Sequence, residues 1–239
     1  MSKSLAELKV CIFDVFGTVV DWRGSLIEDL PTLGRQYGLE TDWTSFADEW
    51  RGLYQPQMHR VRKRELPWTN IDELHKEAFE MLLRKRGLAH PGEEAAWKFT
   101  RLWHRLRPWP DSVEGIAMMK KKYVVATLSN GNVALLIDMA RNGGIPWDHC
   151  FSGETFRHYK PDPEAYLGVV RTMYLEPHQV MLVAAHNGDL KAAQSCGLMT
   201  AFVHRPKEHG PAQKTDLAAD GPWDAVGNSM IEVAKKLGC

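Results

Sequence analysis

The 239-residue sequence has no excess of charge of either sign, because 30 lysine and arginine residues balance 30 aspartate and glutamate residues. Nucleic acids and anionic membranes are bound mainly through an excess of basic charge, so neither is expected as the main partner. The sequence also lacks an apolar run near the roughly 20 residues that span a bilayer. Internal repeats and low-complexity stretches are missing too. These absences favour an ordinary globular protein.

Cysteine is scarce, and the four residues form no Cys-x-x-Cys pair: Cys11, Cys150, Cys196 and Cys239. In a chain of this length, such thiols indicate a reduced, cytosolic protein. The N-terminal segment carries charges without an apolar stretch, so we predict no secretory signal and a cytoplasmic location. The ten histidines contain no His-Glu-x-x-His pattern, which excludes that zinc-protease motif.

Apolar, β-rich runs alternate with helical patterns along most of the chain. The predicted strands are Leu8–Val15, Tyr123–Leu128, Cys150–Phe151, Val180–Ala185 and Met199–Val203. The predicted helices between them are Val133–Asn142, Pro163–Leu175 and Leu190–Gly197. Strand, helix and strand at this spacing predict an α/β fold with a Rossmann-like, doubly wound parallel sheet.

The interval from about Ser25 to about Leu106 has helical periodicity and no convincing strand. Its predicted amphipathic helices are Ser25–Tyr37, Ser45–Arg60, Ile71–Arg86 and Glu93–Leu106. We therefore predict a core of residues 1–22 and 108–239, with a helical cap of residues 23–107 inserted after the first strand. Such a cap can close over the strand ends and exclude water. Helices that serve only for packing are the alternative.

Asp14 stands where the first apolar strand ends, and Gly17 and Thr18 turn the chain directly afterwards. A carboxylate at the mouth of an α/β sheet can act as a nucleophile. Phe16, two residues further on, occupies a position where an acid could protonate a leaving group. Its ring cannot transfer protons.

Three further polar segments follow predicted strands or open a helix: Ser129–Asn132, Lys160–Asp162 and His186–Asp189. Each segment alone is typical of a turn or a helix cap. Because the carboxyl ends of parallel strands meet at one edge, the segments together predict a single site around Asp14 and Thr18.

These segments, in this order, resemble the four motifs of the haloacid dehalogenase superfamily, and the resemblance extends over nearly the whole chain. Within the superfamily the sequence is most similar to the L-2-haloacid dehalogenases. They have an aromatic residue where phosphatases have a second aspartate, as Phe16 is here. They share the Ser-Asn-Gly and Lys-Pro-Asp segments and a following tyrosine, here Tyr166. Trp50-Arg51 resembles a Trp-Arg pair whose arginine contributes to their substrate and halide site.

The resemblance implies hydrolysis of short L-2-haloacids or haloacetates to 2-hydroxy acids through an ester on Asp14. It implies catalytic roles for Asp14, Thr18, Ser129, Lys160, His186 and Asp189. It implies substrate or halide binding by Val15, Phe16, Arg51, Asn130, Tyr166 and Asn187. A departing halide is a weak base, so it needs hydrogen-bond donors rather than an acid, unless it is fluoride.

Some of the residues with expected catalytic or binding roles could instead have purely structural roles. Lys160 would keep Asp14 ionised, and Asp189 would orient Lys160 or the hydrolytic water. Thr18 could instead cap a turn, Tyr166 could only pack against the sheet, and Arg51 could be a solvated surface residue.

The fourth motif departs from the dehalogenase pattern, because His186 replaces an asparagine associated with the hydrolytic water. A histidine there could act as a base, since its ordinary pKa lies near neutrality. It could also simply form hydrogen bonds in a polar site. Asn187 follows it directly.

A Mg²⁺-dependent phosphatase acting on a small phosphoester is the alternative function. Asp14, the Phe16 carbonyl and Asp189 could supply the oxygen ligands that Mg²⁺ prefers. A cation would weaken the attack of Asp14 on carbon, so we predict a site without metal and an enzyme without cofactor. Relatives often form homodimers, and a homodimer is possible here.

Overall fold

The computed structural model describes residues 5–239. In this range it contains eight strands: β1 Val10–Phe13, β2 Val20–Asp21, β3 Arg107–Pro108, β4 Val124–Ser129, β5 His149–Ser152, β6 Val180–Ala184, β7 Met199–Val203 and β8 Ala225–Gly227. Six of them form one parallel sheet in the order β5-β4-β1-β6-β7-β8. The predicted doubly wound parallel sheet is confirmed. Because β1 lies between β4 and β6, the carboxyl ends of these three strands are neighbours.

Ten α-helices accompany the strands in the same described range: α1 Trp22–Gln36, α2 Trp43–Arg62, α3 Ile71–Lys85, α4 Glu93–Thr100, α5 Ser112–Lys120, α6 Val133–Gly143, α7 Gly153–Phe156, α8 Pro163–Thr172, α9 Asn187–Ser195 and α10 Met230–Lys236. Successive residues of β1 face opposite layers of helices. Cys11 and Phe13 join the apolar cluster that includes α5, α6 and α10. Val10 and Ile12 join the cluster that includes α8 and α9. Both faces of the sheet are therefore covered, as a parallel sheet requires.

The chain leaves the sheet through β2 and returns through β3. These two strands pair antiparallel, with Val20 opposite Pro108 and Asp21 opposite Arg107. Helices α1 to α4 lie between them, and we call residues 22–105 the helical segment. Helix α1 begins three residues earlier than predicted, because Asp21 accepts the Gly24 N–H and caps the helix at Trp22. The division of the chain into a core and a cap stays a prediction at this stage.

The fourth predicted helix of the helical segment is shorter than expected. Helix α4 ends at Thr100, a 3₁₀ helix follows over Arg101–Arg105, and Leu106 has an extended backbone. The helical segment has an aromatic interior, in which Phe99 stacks on Phe79 with 4.7 Å between ring centroids. None of the helices in residues 5–239 combines the length and apolar character needed to cross a membrane.

His104 connects the helical segment to α6, a helix that packs on the sheet. Its Nδ1 lies 2.8 Å from Asp138 Oδ2 on α6, and its Nε2 lies 3.0 Å from both carboxylate oxygens of Asp72 on α3. Asn132 also donates to Asp72, over 2.8 Å. Burial opposes the charge on His104, but the two carboxylates outweigh it and raise the pKa of the imidazole above its usual 6.5. The ring therefore bridges the two parts of the chain as a cation.

This ion pair predicts that His104 stabilises the protein more at acidic than at basic pH. Because the folded pKa is raised, the contribution is complete below the unfolded pKa of about 6.5 and is lost as pH rises through the folded value. We expect the difference in free energy of unfolding between the wild type and His104→Asn to shrink as pH rises. Urea unfolding between about pH 5 and about pH 9 measures it. The shifted histidines His75 and His186 are common to both proteins and cancel in this difference. A difference that stays constant with pH would contradict the prediction.

Candidate active site

A cavity of about 470 Å³ opens at the carboxyl ends of the central strands. Residues from the sheet side of the chain line one wall: Asp14, Phe16, Asn130, Lys160, Tyr166, His186 and Asp189. Arg51 and Tyr54 of α2 line the opposite wall. The structure thus brings together Asp14 and most of the residues predicted for the site, and the helical segment contributes the facing wall of the cavity.

Asp14 is 7% exposed and lies in the cavity wall directly after β1. Lys160 Nζ donates to its Oδ1 over 2.9 Å, and Thr18 Oγ1 donates to its Oδ2 over 2.6 Å. His186 Nδ1 lies 3.0 Å from the same Oδ2. Burial alone would raise the pKa of the Asp14 carboxyl, but Lys160, His186 and Thr18 outweigh burial and hold it well below its usual value. Asp14 is therefore an oriented, ionised carboxylate.

Lys160 lies between two carboxylates. Besides Asp14, its ammonium donates to Asp189 Oδ2 over 2.5 Å, and Tyr166 donates to the other oxygen of Asp189 over 2.5 Å. Burial disfavours the ammonium, but Asp14 and Asp189 outweigh it and raise the pKa of Lys160 above its usual value. Tyr166 is buried and its pKa is raised by burial and by Asp189, so it is a neutral donor. The structure gives it both packing on the sheet and a polar contact in the site.

Asn130 and Thr18 hold the strand ends in place. Asn130 Oδ1 accepts the Lys160 backbone N–H over 2.7 Å, and its Nδ2 donates to the Lys160 carbonyl over 3.3 Å. Thr18 Oγ1 accepts the Ala185 N–H over 2.9 Å while it donates to Asp14. Asn130 thus positions the lysine, and Thr18 ties the end of β1 to the end of β6.

Arg51 lies over three aromatic rings. Its guanidinium carbon is 4.2 Å from the Tyr54 ring centroid, 5.5 Å from that of Trp22 and 5.7 Å from that of Phe16. Its Nη1 is buried without a hydrogen-bond partner among the residues that the structure describes. Rings from both walls of the cavity therefore hold a cation whose donor is free for an anion.

His186 bridges Asp14 and a second carboxylate, Glu208. Its Nε2 lies 2.8 Å from Glu208 Oε2, and Glu208 is 1% exposed. Trp22 Nε1 donates to the other Glu208 oxygen over 3.2 Å. Burial disfavours the charged ring, but Glu208 and Asp14 outweigh burial and raise the pKa of His186 well above its usual 6.5.

A family model described as haloacid dehalogenase-like hydrolase matches residues 8–197. The chain belongs to this family. The family resemblance read from the four motifs is confirmed.

Individual members of the haloacid dehalogenase-like hydrolases are similar over most of the chain. The (S)-2-haloacid dehalogenase 1 of Pseudomonas sp. (strain CBS-3) is 26% identical over 223 residues, which cover 84% of this chain and 88% of that protein. A crystal structure of an L-2-haloacid dehalogenase is 47% identical, with a TM-score of 0.93 and coverage of 97% and 99% of the two chains. A crystal structure of a defluorinating L-2-haloacid dehalogenase is 43% identical, with a TM-score of 0.94 and coverage of 97% and 96%.

In this haloacid dehalogenase-like hydrolase, three of the residues predicted for the site contact other parts of the chain and do not line the cavity. Ser129 Oγ accepts the Gly131 N–H over 3.1 Å, within its own turn. Asn187 donates to Asp216 and the Ala218 carbonyl and accepts from Trp223, so its amide faces the loop before β8. Val15 is buried, and its carbonyl accepts from the backbone of the turn that follows. These residues support the site from behind rather than lining the cavity.

The sequence analysis missed Glu208. It belongs to the loop that follows β7, next to β6 in the sheet. The signal that located Asp14 and His186, a polar residue beyond the carboxyl end of a predicted strand, also applies to this loop. The Glu208 carboxylate packs directly against Gly17, because a Cβ built at Gly17 would lie 2.0 Å from Glu208 Oε1. Its φ of +82° also favours glycine.

Proposed function

We propose that this chain is a hydrolytic dehalogenase that converts short L-2-haloacids or haloacetates to 2-hydroxy acids through an ester on Asp14. The observation that carries the proposal is an ionised, buried Asp14 in a cavity where Phe16 stands in place of an acid. The printed names of the relatives, (S)-2-haloacid and L-2-haloacid dehalogenases, support the same reaction class.

Hydrogen bonding indicates which oxygen of Asp14 attacks. A carboxylate oxygen has two acceptor positions. Oδ2 is contacted by both Thr18 and His186, whereas Oδ1 is contacted by Lys160 alone. Oδ1 therefore keeps a lone pair for the carbon that bears the halogen. Attack from the back side forms the ester, expels the halide with its bonding pair and inverts the carbon.

Arg51 supplies the positive charge that an anionic substrate and a departing halide need. Its free Nη1 donor is held by rings beside the cavity. Asn130, on the facing wall, already uses its amide on the Lys160 backbone. We therefore assign anion binding mainly to Arg51 and lysine positioning to Asn130.

The helical segment serves as the cap in this proposal. Arg51 and Tyr54 of α2 face Asp14 and Lys160 across the cavity. A halide leaves into the cavity between these walls, and water is limited to what the cavity admits. The proposed cap comprises residues 23–107 and the proposed core residues 1–22 and 108–239.

A metal-dependent phosphatase is less well supported by the site. The two carboxylates that a divalent cation would need, Asp14 and Asp189, both accept from Lys160. We therefore propose dehalogenation without metal or other cofactor.

A single turnover of chloroacetate in ¹⁸O-labelled water, with EDTA present, tests this function. The oxygen of the first product should come from Asp14, because water attacks the ester carbonyl rather than the substrate carbon. We expect an unlabelled hydroxyl in the glycolate and label in the Asp14 carboxylate, measured by mass spectrometry. Label in the first product would exclude the ester. Halide release abolished by EDTA would contradict the proposed metal-free site, and phosphate release from phosphoesters that requires Mg²⁺ would favour the phosphatase.

A further inference from the structure

We propose that Glu208 holds His186 as a cationic donor, and that His186 and Thr18 together form an oxyanion hole at Asp14 Oδ2 for hydrolysis of the ester. The inference rests on the proposed function and concerns its second step. It assigns Glu208 a positioning role, and it assigns His186 the task of stabilising charge rather than accepting a proton.

The partners of His186 decide its protonation. Each ring nitrogen lies within hydrogen-bond distance of a carboxylate oxygen, at 3.0 Å for Asp14 and 2.8 Å for Glu208. An ionised carboxylate only accepts hydrogen bonds, so each nitrogen must carry a proton to make its contact. The ring is then an imidazolium without a lone pair. It cannot take a proton from water in this arrangement.

Glu208 is fixed where it contacts the ring. It is 1% exposed, and Trp22 Nε1 occupies its other oxygen. Gly17 has no side chain, which leaves the space that the carboxylate fills beside the turn after Asp14. A buried carboxylate held this way fixes the orientation of a histidine and stabilises its charged form. Glu208 therefore keeps His186 cationic after Asp14 has lost its own charge to the ester.

The geometry of the ester follows from the attack by Oδ1. Oδ2 stays the carbonyl oxygen of the ester and keeps its two donors, Thr18 Oγ1 at 2.6 Å and His186 Nδ1 at 3.0 Å. Water adds to Cγ and gives one proton to Asp189, and the carbonyl electron pair moves onto Oδ2. Donors already in place at that atom stabilise the new negative charge.

The tetrahedral intermediate collapses when the pair on Oδ2 reforms the carbonyl. The Cγ–Oδ1 bond breaks, and Oδ1 leaves as the alkoxide of the hydroxy acid. Lys160, which contacts Oδ1, donates a proton to it and regains one from Asp189. The new Asp14 carboxyl, with one oxygen from water, loses its proton to solvent. The balance over both steps is haloacid plus water to hydroxy acid, halide and one proton.

The two possible roles of His186 predict opposite pH dependence. A cationic donor loses activity as pH rises through its pKa, whereas a base gains activity. The charged or titratable groups around the ring are Asp14, Glu208, Arg51 across the cavity, Asp216 on its rim, Lys160 behind Asp14 and His209 beside Glu208. Glu208 is the buried anion that remains next to the ring once Asp14 is esterified, so its removal should lower the pKa of His186 in the ester.

Glu208→Gln keeps the shape of the side chain and removes its charge. We expect ester hydrolysis to slow by about 10²-fold while the halide burst is largely kept. Rapid-quench experiments with chloroacetate should then detect the carboxymethyl ester on Asp14 by intact mass. The high-pH limb of hydrolysis should move to lower pH in the variant. Glu232→Gln, at an exposed carboxylate of α10, is the matched control.

His186→Asn provides a second test that does not depend on how Glu208→Gln folds. Asparagine offers Oδ2 a neutral donor, so hydrolysis should be partly retained and its high-pH limb should disappear. Glu208→Gln should add little in this background if Glu208 acts through the ring. Fully additive losses, or hydrolysis that increases with pH through the His186 pKa, would overturn the inference. Failure of the wild type to form any ester would instead refute the proposed function.

Discussion

Asp14→Asn is expected to lower steady-state halide release from chloroacetate by at least about 10⁴-fold. An amide oxygen is a poor nucleophile toward carbon, and the rest of the cavity cannot replace it. The variant also removes the anion that Lys160 and His186 share. We expect it to abolish the halide burst and the Asp14 ester in the same experiment.

Circular dichroism and urea unfolding separate this loss from unfolding of the variant. Asp29 lies on α1 and pairs with Arg107 at the surface. Asp29→Asn is the matched control and should keep halide release near the wild-type value. Dehalogenation that persisted in Asp14→Asn with the fold intact would place the nucleophile elsewhere.

Lys160→Met is expected to have the second largest effect. Lys160 is 6% exposed, and its ammonium compensates two buried carboxylates, Asp14 and Asp189. Without it these like charges face each other, so we expect a loss of about 3 to 5 kcal/mol in the free energy of unfolding. We also expect the halide burst to slow by about 10³-fold, because the nucleophile loses the contact that orients it.

The pH profile of the Lys160→Met burst distinguishes charge from geometry. Asp14 attacks only when ionised, and Lys160 is the largest of the contacts that lower its pKa. Removing the ammonium raises that pKa, so the burst should be lost at a higher pH on acidification than in the wild type. Lys191 lies on α9 and forms an exposed ion pair with Asp220, so Lys191→Met should leave the pH profile of the burst unchanged. An acid limb that does not move would contradict the role assigned to the lysine.

The sequence predicted the central fold well because strongly apolar segments such as Val180–Ala185 are buried on both faces of the sheet. It did not predict β8, whose three residues are too few to stand out, or the ribbon of β2 and β3, whose strands have two residues each. The short helices α5 and α10 have no pattern in the sequence that predicted them. The possible homodimer and the cytoplasmic location stay predictions.

The site was predictable where a motif joins a residue type to a strand end, as for Asp14, or to the start of a helix, as for Lys160. It was not predictable where a contact depends on a side chain's direction. Asn187 directly follows His186, yet its amide faces the loop before β8. Glu208 was missed although it follows a predicted strand, because its partners Trp22 and His186 are distant in sequence and no motif singles it out among the charged residues of its loop.

The aromatic enclosure of Arg51 has a consequence for which molecules the cavity admits. Its guanidinium lies over the rings of Tyr54, Trp22 and Phe16, and its Nη1 is buried before any substrate arrives. A monoanion gains an attraction that solvent screens little, whereas an uncharged haloalkane gains nothing from it. Under the proposed function, we therefore expect the cavity to favour anionic haloacids over neutral organohalides, because only the anions gain from this arginine.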